Sequence, residues 1–404
     1  MLTFLYTARD AASNKQIKST VQAESERAAA KLLIAQGMTP LSITEQTQRA
    51  NIFAKLAGRV TTKDRVIFTR QLATLINAGL PLAQSLHTVA DQTENKRLRA
   101  VVQDIITSIE GGSSLGDSFG KHPEVFNHVF LALVAAGEAS GTLDKALERI
   151  ATQQEKDAEM LSKVRGALVY PVIVLVVIIG VIIFMLLSVV PQIERLYHDL
   201  KQSLPFITAA MVAIANFLIF YWWLVLILAG IIIYFIKRYI ETDAGRRVID
   251  TMKMRLPLFG IMFRKLYMAR FTRTGQTLMT TGVPMLEMLR ISAQAVNNVI
   301  VSQSILHAAE KVKGGKALSL ALKGDDNILP LVPQMISIGE QSGGIDNMMG
   351  KAATFYENEL DNTIRSISTA IEPVLMVILA AVAGLMVAAI LLPVYGLISS
   401  GAIH

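Results

Sequence analysis

The residues able to do chemistry are few and scattered. The chain has 404 residues and no cysteine, which excludes disulfides, thiolate catalysis and cysteine-bound zinc or iron–sulfur sites. Gly111-Gly112-Ser113-Ser114-Leu115-Gly116-Asp117-Ser118 has the glycine spacing of a phosphate-binding loop. It puts Asp117 where the phosphate-binding lysine must be, and no hydrophobic strand leads into it. An acid there repels a triphosphate, so the segment reads as a break between helices. The six histidines are His87, His122, His128, His198, His307 and His404, and none sits in an H-E-x-x-H pair. Glu155, Asp157 and Glu159 form an acidic stretch whose alternate spacing spreads it over several faces of a helix. A solvated face is the expectation there; a weak divalent-cation site is the alternative. Glu138 and Glu340 each stand in a G-E-x-S-G motif. They either brace the turn before the next helix or touch a partner.

The elements around these residues are dominated by apolar runs. Hydrophobic residues make up 52% of the chain and charged residues 18%. No charge falls between Arg165 and Glu194, between Lys201 and Lys237, or from Pro373 to Ile403. A bilayer-spanning helix needs about 20 apolar residues, so each run can cross a membrane. The segment Lys237–Arg273 carries ten cations, whereas Pro191–Ala213 carries only Arg195 and Lys201. Cations collect on the cytoplasmic side, which places residues 1–165 and 239–372 inside. The 191–213 loop and the 399–404 tail then lie outside. The net charge of +7 is explained by these flanks and anionic headgroups, with no nucleic-acid partner. Tyr221, Trp222 and Trp223 either mark the outer interface or pack against another helix. The spans hold almost no ionisable residues, unlike a proton- or ion-coupled carrier.

The chain also repeats itself. Phe68–Gln92 and Phe271–Ala295 align at an offset of 203 with nine of 25 positions identical. Gly79 and Pro81 align with Gly282 and Pro284. One residue later in register, Gly137, Glu138, Ser140 and Gly141 align with Gly339, Glu340, Ser342 and Gly343, and Pro171 with Pro373. Phe68, Leu72, Leu75 and Ile76 form one apolar helix face. Gly79 ends that helix, and Pro81 can start the next. Ser114 is placed to cap Leu115–Lys121, and Thr142 to cap the helix after Gly141. From Leu143 nothing stops a helix before Pro191, although Pro171 should kink it. Each copy is thus expected to hold about six helices. The first 50 residues differ: Leu2–Ala8, Lys15–Ala23 and Met38–Thr44 read as strands, and Glu24–Gln36 as a helix.

The pieces FTRQLATLINAGLPL, AAGEASGTLDKAL, ALVYPVIV, ARFTRTGQTLMTTGVPML and IGEQSGGIDNMM strongly resemble the type II secretion system F family. The N-terminal FLYTARDAASNKQIKSTVQAESERAAAKLLIAQGMTPLSI resembles that family's opening module. Asp10-Ala11-Ala12-Ser13-Asn14 departs from the glycine-containing turn common among its relatives. The resemblance implies a non-enzymatic inner-membrane platform without cofactors. The implied partners are a cytoplasmic hexameric assembly ATPase, a retraction ATPase in pilus systems, pilin or pseudopilin subunits and inner-membrane alignment proteins. A homo-oligomer is expected. The expected fold is mostly α, an integral membrane protein with two homologous cytoplasmic helical bundles, three transmembrane helices and a small α+β module. Its expected order is module 1–46, linker 47–60, bundle 61–165, span 166–190, outer loop 191–213, span 214–238, bundle 239–372, span 373–398 and tail 399–404. Ala380-Ala381-Val382-Ala383-Gly384 and Ala388-Ala389 would permit close helix packing, within the chain or with a neighbour.

Overall fold

The structure is a computed structural model and describes residues 2–10, 16–23, 30, 38–45, 59–199, 206–257 and 259–399. It divides into Met1–Arg59 and Val60–His404. The first unit holds three antiparallel strands, β1 (Leu2–Asp10), β2 (Gln16–Ala23) and β3 (Met38–Glu45), in the order β2-β1-β3. Leu2 pairs with Ala23 and Arg9 with Gln16. Between Thr7 and Ala8 the register to β3 slips, beside Pro40. Proline cannot donate to a ladder, so it belongs on an edge strand at such a bulge. Apart from Ala30, the helix expected over Glu24–Gln36 lies outside the described residues; so do residues 11–14 and the 47–58 linker.

The second unit contains two bundles of six helices. The first comprises α1 (Thr62–Asn77), α2 (Leu82–Gln92), α3 (Lys96–Glu110), α4 (Leu115–Gly120), α5 (His128–Ser140) and α6 (Leu143–Phe184). A π-helical turn (Met185–Val189) continues α6 into α7 (Val190–Asp199). The second span is α8 (Phe206–Ile240), and α9 (Asp243–Arg255) links it to the second bundle. That bundle comprises α10 (Phe259–Thr280), α11 (Met285–Ala295), α12 (Val299–Lys313), α13 (Leu318–Leu322), α14 (Leu331–Ser342) and α15 (Ile345–Ser399).

Thr61 starts α1 with a reciprocal cap: its hydroxyl accepts from Asp64 N at 3.2 Å, and Asp64 accepts from Thr61 N at 2.8 Å. Phe68 and Leu72 on α1 are buried, and Phe68 meets Phe119 and Phe126 at ring separations of 6.4 and 5.8 Å. Phe130 closes the cluster 4.9 Å from Phe119. Burying each such ring contributes about 1.5–3 kcal/mol. The second bundle keeps Phe271 at the position of Phe68 but replaces the other rings with smaller residues. Met268, Met288 and Met349 are fully buried there and fill the irregular space.

Among the described residues, three helices are long and apolar enough to cross a bilayer: Leu143–Asp199, Ala209–Ile240 and Ile345–Ala388. The sequence expectation that Pro191 ends the first is wrong, because the helix runs on to Asp199. A proline ring clashes with the carbonyl four residues back. Here that carbonyl belongs to Leu187, inside the π turn, whose wider winding gives the ring room. Within the segment 191–213, the described residues are helical, over Val190–Asp199 and from Phe206. Pro171 and Pro373 both lie inside continuous helices. The second span is bent at Tyr221, whose φ of −115° and ψ of 21° leave the helical region. Trp222 and Trp223 are exposed, so the alternative that packs them on another helix of this chain fails.

Candidate functional site: two capped turns and the junction between bundles

The repeated motif residues build the same turns twice. Gly79 and Gly282 have φ of 83° and 86°, a left-handed conformation that glycine adopts at low cost. Each closes its helix with matching bonds, Leu80 N to Leu75 O and Val283 N to Leu278 O, both 3.1 Å. Pro81 and Pro284 sit at the N-cap of the next helices, one position earlier than a first-turn proline. Gly141 and Gly343 are the left-handed C-caps of α5 and α14.

In G-E-x-S-G each residue has its own task. An added Cβ on Gly137 would stand 2.4 Å from Ala146 Cβ, and one on Gly339 would stand 2.6 Å from Ile345 Cα. These glycines let the motif helix touch the long helix that follows. Ser140 Oγ donates to Ala136 O at 2.7 Å, and Ser342 Oγ to Ile338 O at 2.9 Å. Glu138 accepts from Leu115 N at 2.8 Å and Gly116 N at 2.9 Å. Glu340 accepts from Ser319 N at 3.1 Å and also binds Ser319 Oγ. Each carboxylate thus caps the short fourth helix of its own bundle, where orphan N–H groups and the helix dipole favour an anion. The brace lies behind the motif, at α4 and α13, and not at the turn ahead of it. Thr142 stands at the N-cap of α6 without a capping bond; its hydroxyl pairs with Ser140 Oγ at 2.7 Å.

These contacts also settle the glycine-rich segment. Gly111 ends α3, Gly112 has a φ of 91°, and Ser114 caps α4 by accepting from Asp117 N at 3.0 Å. The N–H groups that a phosphate would need already bind Glu138 and Ser114. His122 lies 2.8 Å from Asp104 and 3.8 Å from Glu124 on the surface. No group of three or more His, Asp or Glu with metal-binding geometry occurs among the described residues.

The acidic stretch on α6 stays partly open to solvent, with Glu155, Asp157 and Glu159 side chains 41%, 36% and 48% exposed, and each carboxylate also has a cationic neighbour. Glu155 makes a two-pronged pair with Arg70, at 2.6 and 2.5 Å. The guanidinium holds its carboxyl below the usual range. Arg273 and Glu357 repeat that pair in the second bundle at 2.8 Å for both prongs. Glu159 pairs with Lys163 at 2.9 Å. Asp157 faces the other bundle: Oδ1 is 3.8 Å from Arg270 Nε, and both atoms are sealed from water without a hydrogen-bond partner. The rest of the carboxylate opens on a cavity of about 410 Å³ that both bundles line. Burial pushes its carboxyl up despite Arg270.

This places Asp157 in the junction that holds the two bundles together. Gln153 of α6 bonds Thr274 and Thr277 of α10 at 3.5 and 3.2 Å. Lys163 Nζ reaches Asp361 of α15 at 2.7 Å. The helices that enter the membrane from each bundle are therefore clamped side by side before they reach it. The sequence did not single out Arg270, Gln153, Lys163 or Asp361, whose partners lie a hundred or more residues away.

Two duplicated bundles, each ending in a helix that runs on into a span, and an N-terminal sheet define an integral membrane scaffold of doubled architecture. The chain belongs to the type II secretion system protein F family. Residues 68–191 and 271–393 each match the family model for type II secretion system (T2SS), protein F. Residues 1–44 match its N-terminal domain. The type IV pilus assembly protein PilC of Thermus thermophilus is 36% identical over 99% of this chain and 99% of its own length. PilC of Myxococcus xanthus is 35% identical over 99% and 96%. Type II secretion system protein F of Vibrio cholerae is 32% identical over 98% of each.

Proposed function

We propose that the chain is the non-enzymatic inner-membrane platform of a type IV pilus machine. It couples a cytoplasmic hexameric assembly ATPase, and a retraction ATPase where one exists, to the insertion or removal of pilin subunits. The observation that carries this reading is the clamp between the bundles. Force applied to either bundle reaches two membrane-entering helices at once. The relatives named for pilus assembly, at 35 and 36% identity, support the pilus assignment.

The cation-rich segment 237–273 supports an orientation with both bundles and the N-terminus cytoplasmic and the C-terminus periplasmic. The small-residue stretch from Ala380 to Gly384, whose Ala381 and Val382 line a cleft with Ile182, Met185 and Leu186 of the first span, packs within the chain or against a pilin helix or another platform subunit. Relatives named type II secretion system protein F, at 32 to 34% identity, favour a second reading, the platform of a secretion or competence pseudopilus.

The test is complementation of a strain lacking the gene. Restored surface pili support the pilus reading, and restored secretion without pili transfers the assignment to the second. Glu138→Lys and Glu340→Lys should insert normally in the membrane and reduce fibre assembly. Normal piliation in both would remove the motif from the working surface. ATP hydrolysis by the purified chain alone would sink the platform reading.

A further inference from the structure

We propose that α9 lies in the plane of the bilayer surface and binds anionic phospholipid headgroups. The helix begins only two residues after the second span ends, across Glu241 and Thr242, so its first turn starts at the membrane. The corner is fixed. Thr242 Oγ1 donates to Tyr239 O at 2.6 Å and accepts from Gly245 N at 3.1 Å. A Cβ on Gly245 would stand 1.9 Å from Tyr239 O, so only glycine lets α9 fold this close to the end of the span.

One side of α9 is held by the bundle. Met254 and Asp250 are buried, and Asp250 accepts from Val299 N at 3.0 Å. The opposite side has no protein cover. Val248 and Met252 are 50% and 59% exposed, and with Ala244 they follow an i, i+4, i+8 row. Arg247 and Arg255, eight residues apart, flank that row. Arg246, Arg247 and Arg255 are exposed and pair with no acid among the described residues. An apolar stripe edged by unpaired cations is the pattern of a helix that sinks about 5–10 Å into the headgroup boundary. Long arginine side chains reach back from such a depth to the phosphates. The direct continuity with a span selects a lipid surface over a protein partner.

The absence of cysteine makes single-cysteine labelling direct. The full chain, as Val248→Cys, Met252→Cys and Gln341→Cys with nitroxide labels, is placed in nanodiscs of phosphatidylcholine with phosphatidylglycerol. Gln341 precedes the 28 residues of α15 that separate Ile345 from Pro373, roughly 40 Å of helix, and serves as the aqueous control. Labels at 248 and 252 should be reached by oxygen in preference to a water-soluble nickel chelate, with the order reversed at 341. Two results overturn the proposal: labels at 248 and 252 that behave like 341, or labels that neither reagent reaches, which means a protein covers the stripe. Retained lipid is measured separately by native mass spectrometry. The wild-type chain should hold phosphatidylglycerol in several-fold excess over its share of the disc. The Arg246→Gln, Arg247→Gln, Arg255→Gln triple variant should lose that excess, and an unchanged excess refutes headgroup binding.

Discussion

Gly137 and Gly339 look equivalent in sequence, and the structure predicts that they respond differently to rescue. Alanine at 137 puts Cβ 2.4 Å from Ala146 Cβ, where carbon atoms prefer about 3.5–4.0 Å. Overpacking of this kind costs about 1–3 kcal/mol. Alanine in place of glycine inside a helix returns about 1 kcal/mol, so Gly137→Ala should lose up to about 2 kcal/mol. Ala146→Gly alone costs about 1 kcal/mol in propensity, plus its fully buried methyl. Together the two exchange one methyl for another across the contact. The next neighbour is Leu143 Cα at 3.3 Å, so most of the clash is gone. The double variant should be more stable than the sum of the singles by about 1–3 kcal/mol. At Gly339 the obstacle is Ile345 Cα, a backbone atom, and Ile345→Gly should rescue nothing. The assay is the Tm of the full chain in detergent, where 1 kcal/mol is about 2 °C in a large unit. Additive singles at 137 and 146, or rescue of Gly339→Ala by Ile345→Gly, would refute the contact argument.

Three other perturbations test the electrostatics and the corner. Glu357→Gln should cost about 1–3 kcal/mol and Glu155→Gln under about 1 kcal/mol in Tm measurements. The Arg273 pair is 19% and 15% exposed against 32% and 41% for Arg70, and Arg70 keeps Glu148 at 2.6 Å. Asp157 has a raised folded-state pKa, so its stabilising contribution grows as pH falls through that pKa and is complete below the usual carboxylate range. Glu155 and Glu159, held below that range, lose stability over the same acidification. Asp157→Asn should therefore steepen the fall of Tm on acidification, and an unchanged slope counts against it. Gly245→Ala should cost about 3 kcal/mol or more, read as lower Tm, since its Cβ meets a carbonyl fixed by Thr242.

The sequence made the duplication legible because turns depend on residue type. Gly79, Gly282, Gly141 and Gly343 were placed correctly by the left-handed conformation their positions demand. The spans were legible because bilayer thickness sets the length of an apolar run. The place of Asp157 at the junction was not legible because helical spacing describes only the helix it sits on. Its Oδ1 is sealed against Arg270, on a helix of the other bundle, and no local pattern carries that pairing. Pro191 was misread for a related reason: a proline stops an α-helix, and the π turn that admits it has no strong signature in MLLSV. Gly245 passed unnoticed because its need for a missing Cβ arises only once the span and α9 meet.

The uninterrupted run from Leu143 to Asp199 spans 57 residues, and it makes the first bundle and the far side of the membrane two ends of one rod. With the rod clamped at Lys163, the 26 residues from there to Val189 reach roughly 39 Å. A tilt of about 5° at the clamp displaces the far end by roughly 3 Å over that reach. Because α15 shares the clamp, the same tilt is imposed on a second rod, and the pair swings together rather than scissoring. The π turn at Met185–Val189 is the compliant section of the first rod. It marks the depth at which a swing begun in the bundles is passed on or absorbed.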